Sequence, residues 1–451
     1  MRRALLLGIA VMMAGCEASP LDQPWVSARP LAARTPSYVP PREPGADAGS
    51  LVEEPRGEVT LALAWQLALM HHPGLLADAW GVRAAEARAV QQGLSPNPTL
   101  EARLDDFGGR GDRRGFEKAD VRLRVTQLIE LGEKRAKRIA LADAQRMLAA
   151  WDYEARRVAV AAQVTAYFVR VLAAQEEVAL RKQAVDFAQA MHKIVEDRLG
   201  AGGLPPVERD RSAARVGQAR IALGEAQVNL ETARRLLAGT WDQSAATFTQ
   251  AAGTLPATRP TAPALDDLIA LLDDHPLIAR WAGEISRRQA DVELAKAKAV
   301  GDITLGGGVK YFREDDGQAF LFELGIPLPL FDDNRGEILE KRFALSKAHA
   351  QAKAARHEAR SELIESYRDL ARAHRKATLL REEVIPRLEA AAALTETNFK
   401  QGLAKLDDML DESRSLLRAK VEHLAALADY HEAAAKLEGL MGRPLDGDAK
   451  P

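Results

Sequence analysis

The sequence predicts a mainly α-helical fold with a small β part, built as two copies of one unit in which long helical hairpins dominate. Three observations carry this. Although the 451 residues include 22 prolines, none lies between Pro98 and Pro205 and only Pro386 lies between Pro329 and Pro444, so two stretches are free to run as long helices. Val164, Val171, Val178 and Val185 stand one heptad apart, and Leu363, Leu370, Ala377 and Val384 repeat that spacing 199 residues later, which imposes coiled-coil packing. Short segments with a period of two separate the helical stretches in each half, the pattern of strands with two unlike faces.

Composition supports the helices and excludes some functions. Aromatic residues make up only 5% of the chain, while Ala, Leu, Glu, Arg and Lys fill long stretches, the signature of extended helix. With 28% charged residues and a net charge of −2, the two signs are interleaved, and no basic field suited to nucleic acid exists. The one cysteine, Cys16, can form no internal disulfide. Arg2 and Arg3, the apolar run Ala4 to Met13, and Ala14-Gly15 precede it. This resembles a lipoprotein signal peptide, residues 1–15, whose removal leaves Cys16 as the site of lipid attachment. The plainer alternative is a short signal peptide with an incidental cysteine. The apolar run is too short for a spanning helix, so entry into a membrane requires a β-barrel.

Residues 16–57 carry eight prolines after Cys16 and little apolar pattern, and read as an extended tether. The first copy follows over 58–239, a Pro/Thr/Ala-rich linker over 240–263, the second copy over 264–442 and a tail over 443–451. His72-Pro73 opens a helix in the first copy, and His275-Pro276 opens its counterpart. Next come paired strand patterns. Leu100, Ala102 and Leu104 alternate with Glu101, Arg103 and Asp105, and Val121, Leu123 and Val125 alternate with Arg122, Arg124 and Thr126. In the second copy Ile303, Leu305 and Val309 oppose Thr304 and Lys310, while Phe320, Phe322, Leu324 and Ile326 oppose Glu323. One face is apolar and the other charged, as lipid outside and water inside demand. A soluble hairpin with one wet face shares this pattern, and four strands cannot close around a channel unless several chains contribute. The long helix from Ala136 to Leu199 would span about 96 Å at 1.5 Å per residue. It turns back at Gly200–Pro206 in the first copy, and its counterpart turns at Gln401-Gly402-Leu403.

Taken together, Glu130-Leu131-Gly132-Glu133-Lys134-Arg135, Ile326-Pro327-Leu328-Pro329-Leu330-Phe331-Asp332-Asp333-Asn334-Arg335-Gly336 and the duplicated order of elements resemble the TolC-like outer-membrane factors. The two junctions are similar to those of the heavy-metal branch, cobalt-zinc-cadmium or copper-silver. The resemblance covers nearly the whole mature chain. It implies a homotrimer with a twelve-stranded transmembrane β-barrel and an α-barrel, lipid-anchored in the outer membrane and projecting into the periplasm. It implies the function of an exit duct, passing substrates from an inner-membrane pump and a periplasmic adaptor to the outside, with no enzymatic activity and no cofactor. Gly402 to Asp411 is similar to the family's periplasmic tip, so Asp408 and Asp411, three apart on one helical face, are the expected pore constriction. The alternative for these acids is a solvated first helical turn favoured by the helix dipole. Gly203, Leu204, Gly402 and Leu403 mark the expected adaptor-docking tips.

Other signals carry less. The nine histidines lack ligand spacing, so no specific metal site is expected. Gly306 to Gly308 lacks the lysine and following helix of a phosphate loop, and no nucleophile-base set is recognisable. The competing readings are a one-step protein secretion duct, which shares the architecture, and a periplasmic coiled-coil scaffold, which leaves the leader and the strand pairs unexplained.

Overall fold

A computed structural model describes residues 25–43, 54–201, 204–258, 264–401 and 403–445. Cys16, Gly203 and Gly402 lie outside the described residues. The element order is β1 (Glu58–Val59), α1 (Leu61–His71), α2 (Pro73–Gln92), β2 (Thr99–Asp105), β3 (Asp120–Ile129), α3 (Lys134–Gly200), α4 (Val207–Gly239) and β4 (Gln250–Ala251) in the first half. The second half runs α5 (Leu265–Ala270), α6 (Pro276–Lys298), β5 (Ile303–Phe312), β6 (Gly317–Gly325), α7 (Arg335–Leu379), α8 (Ile385–Lys400) and α9 (Leu406–Met441). The two histidine-proline pairs start α2 and α6 as expected. Proline occupies the first helical position, where its missing N–H costs nothing, and the imidazole Nδ1 of His72 accepts from Leu75 N–H at 3.3 Å while that of His275 accepts from Leu277 N–H at 3.2 Å.

The chain divides into two compact units. One comprises chiefly residues 81–151 and 280–353 and holds the four strands. They form a single antiparallel sheet in the order β2-β3-β5-β6, so the two copies meet at the β3-β5 pair. The register sets Leu100 opposite Val125, Ala102 opposite Leu123 and Leu104 opposite Val121, which keeps every apolar residue of the alternating pattern on one face. That face is uncovered: Phe320 is 92% and Phe322 80% exposed, and Leu100, Leu123, Val125 and Val309 are exposed beside them. An apolar surface of this extent marks a membrane or protein contact.

The other unit comprises chiefly residues 27–80, 152–279 and 354–451. Here Val164, Val171, Val178 and Val185 of α3 are all buried, as are Leu363, Leu370 and Ala377 of α7. One helix among the described residues, α3, is long and apolar enough by composition to cross a membrane, but these valines are packed within the fold. Val384 departs from the expected seam and is exposed. The reason is local: Leu380–Val384 is a π turn, which widens the helix just before Pro386 and rotates the face beyond Leu380, so Leu380 still packs inward in step with buried Ser366 and Ala373 while Val384 turns outward. Thus α3 runs 67 residues unbroken, whereas its counterpart is divided into 45, 5 and 16.

Two parts of this unit have no helical signal in the sequence. Within 240–258, Trp241, Phe248 and Leu255 are buried and β4 pairs in parallel with β1. Upstream, the proline-rich stretch 27–43, expected as an extended tether, folds through a turn at 31–34 and is docked. The guanidinium of buried Arg157 donates to the carbonyls of Arg29 (2.9 Å), Leu31 (2.9 Å) and Ala32 (3.2 Å), and Glu154, which pairs with Arg157 at 2.8 Å, accepts from Arg29 N–H at 2.6 Å. Because the contacts are to backbone, no side-chain pattern announces them.

Candidate channel wall and hairpin tips

The charged face of the sheet is ordered by ion pairs. Arg124 on β3 donates to Glu101 on β2 at 2.8 and 2.5 Å and to Glu323 on β6. Lys310 pairs with Asp120 at 2.5 Å, Arg103 with Glu101 at 3.3 Å and Arg122 with Asp105 at 3.6 Å. Four basic and four acidic side chains therefore line the strands, and every one of them has an opposite partner. Such a surface is wettable without being strongly charged, suited to water and passing solutes. The alternation of these residues is visible in the sequence. Their pairing is not, because Arg124 and Glu323 become neighbours only through the β3-β5-β6 register.

Below the sheet the two strand-to-helix junctions are built alike. Glu133 and Asn334, the residues immediately before α3 and α7, both adopt left-handed backbone (φ 59°). Gly132 precedes Glu133 at φ +68°, and a Cβ there would stand 3.0 Å from Ala297 O and from Val300. Asp302 fastens the first junction, accepting from Leu131 N–H at 3.0 Å and Lys134 Nζ at 2.6 Å. Burial opposes its ionisation, but these two donors prevail and hold its carboxyl below the usual range. Asn334 fastens the second by donating to Ala295 O at 2.8 Å.

At the hairpin ends, Met191 of α3, Phe399 of α8 and Met409 and Leu410 of α9 form one apolar cluster. Arg198 stacks 4.5 Å from the Phe399 ring centroid, and Arg215 of α4 pairs with Asp407 of α9 at 2.8 Å. Asp408 and Asp411 are both exposed on the first turns of α9. Asp408 accepts from Lys405 N–H at 3.0 Å, which caps the helix, and Asp411 lies 3.7 Å from Arg414. Leu403 is 75% exposed and Leu204 half-buried. Among the described residues no group of three or more His, Cys, Asp or Glu is placed to hold a metal ion.

A family model described as "Outer membrane efflux protein" matches residues 64–253 and 268–443, one block for each copy of the duplicated unit. The chain belongs to the outer membrane efflux protein family. The cobalt-zinc-cadmium resistance protein CzcC of Cupriavidus metallidurans is 30% identical over 390 residues, covering 86% of this chain and 91% of that protein. Among solved structures, the outer membrane protein VceC of Vibrio cholerae aligns with TM-score 0.70 at 17% identity over 86% of this chain and 97% of its own. CusC, whose structures concern folding and transmembrane channel formation, aligns with TM-score 0.70 at 13% identity over 93% and 99%. These likenesses bear out the mainly α, TolC-like architecture with a small β part. As an outer membrane efflux protein the chain is an outer-membrane channel, the exit duct of a tripartite efflux system. Channels of this family are trimers that work with an adaptor and an inner-membrane pump, and its relatives are channel proteins, not enzymes.

Proposed function

We propose that three copies of this chain close one twelve-stranded barrel, that Cys16 carries a lipid, and that the duct discharges divalent heavy-metal cations. The carrying observation is the sheet itself. Strands β2 and β6 each have one strand neighbour among the described residues, so each chain offers two open edges beside an exposed apolar face. Open edges are not tolerated in lipid, and pairing β6 of one chain with β2 of the next removes them. The cargo reading rests on the name of the relative CzcC, a cobalt-zinc-cadmium resistance protein. Asp408 and Asp411 are the acidic constriction in this reading, their exposure leaving them free to meet their copies around a threefold axis. The turns around Gly203-Leu204 and Gly402-Leu403 dock the adaptor, and exposed Leu403 is the apolar contact it would bury.

The test is genetic. A strain lacking this chain should lose tolerance to cobalt, zinc and cadmium together, with restoration by the intact gene. Unchanged metal tolerance with a missing secreted protein would transfer the duct to one-step protein secretion.

A further inference from the structure

We propose that Arg124 is a built-in counter-ion that keeps a two-carboxylate cation site closed on the charged face of the barrel. The inference rests on that face meeting the water of the duct. Arg124 is held from both sides, its Nε and Nη2 on Glu101 and its Nη1 on Glu323, so two carboxylates from the two edge strands converge on one guanidinium. A divalent cation placed there would find the same acceptors.

The strand between them is shaped for this crossing. The register puts Gly308 of β5 opposite Arg124 and Gly306 opposite Glu323. A Cβ on Gly308 would stand 2.8 Å from the Arg124 Cα and Cβ and 2.3 Å from Leu123 O. Only glycine leaves a path over β5 from Arg124 to Glu323. The three charged side chains remain 27–42% exposed, so the cluster is open to solvent and contributes little to sheet stability. Its consequence is for transport: an exit duct works only if its cargo is released, and unneutralised carboxylates at this level would retain divalent cations. With Arg124 removed, Arg103 still neutralises part of Glu101, and each chain is left with one uncompensated negative charge at this level.

The experiment uses the full-length trimer in planar bilayers with calcium chloride added on the side of the strand loops. Arg124→Gln should be blocked at about a tenfold lower calcium concentration than wild type, as expected when one negative charge per chain is uncovered facing the ion. Arg124→Lys should behave as wild type, and Arg124→Gln with Glu323→Gln should lose the added block. Unchanged calcium sensitivity in Arg124→Gln overturns the proposal, as does loss of the trimer in that variant, which would assign Arg124 to assembly. Labelling by a membrane-impermeant thiol reagent separates the two failures. Ala319→Cys on the charged face should react and Leu123→Cys on the apolar face should not. The reverse pattern would overturn the orientation of the sheet and this inference with it.

Discussion

Asp408 has two duties that a single substitution confuses. Its carboxylate caps α9 through Lys405 N–H, and its charge contributes to the proposed constriction. Alanine would remove both, with a capping loss of about 1 kcal/mol. Asparagine keeps a capping oxygen and deletes the charge, so Asp408→Asn with Asp411→Asn isolates the electrostatic role. In bilayers this variant should show weaker block by multivalent cations from the periplasmic side and lower cation selectivity, with trimer yield unchanged. Unaltered block and selectivity would place these acids on the outer surface. His72 and His275 act as a pair for a different reason. Burial, then neighbouring Arg156, lowers the pKa of His72 against the opposing effect of Asp78. Burial also lowers that of His275, with Arg29 acting in the same direction and Glu362 and the Gly439 carbonyl opposing. A histidine whose folded pKa lies below its unfolded value binds its proton less readily when folded. Its stability contribution is therefore full above the unfolded value near 6.5, and falls as pH drops from there toward the folded pKa. Thermal unfolding in detergent should accordingly shift downward on acidification below about pH 6.5, and replacing both histidines by Asn should weaken that dependence, the remainder belonging in part to His423, whose pKa burial also lowers.

Among the elements, the two long helices show how far periodicity could be read. The heptads of α3 are legible throughout because nothing interrupts 67 residues of regular helix. In its counterpart the same count succeeds through Ala377 and fails at Val384, since a π turn shifts the phase by one residue. Pro386 was visible as a disturbance, but its sequence position does not say how the helix absorbs it. Leu363→Ala should accordingly lower stability by roughly 2–5 kcal/mol, whereas Val384→Ala should stay within about 0.5 kcal/mol. Apparent Tm of the two variants in the same detergent decides this, and equal losses would restore the unbroken heptad. The strands were legible from alternation, and their order was not. Only the β3-β5 pairing brings Arg124 and Glu323 together across 199 residues of sequence. Residues 27–43 escaped for a further reason, being held by Arg157 and Glu154 through backbone groups that no side-chain pattern reports.

For the whole molecule, the described chain holds four strands in register, two open edges and an uncovered apolar face, one third of the proposed twelve-stranded barrel. A monomer could satisfy the apolar face with detergent, but detergent offers no donors and acceptors to the edges of β2 and β6. In the proposed barrel, assembly satisfies those edges, and the paired charges of the opposite face become the lining of a shared duct only when three chains meet. The native mass of the full-length protein in detergent tests this most directly. A single species of three chains, stable on dilution, is the expected result; a monomer or dimer as the sole species would contradict the shared barrel.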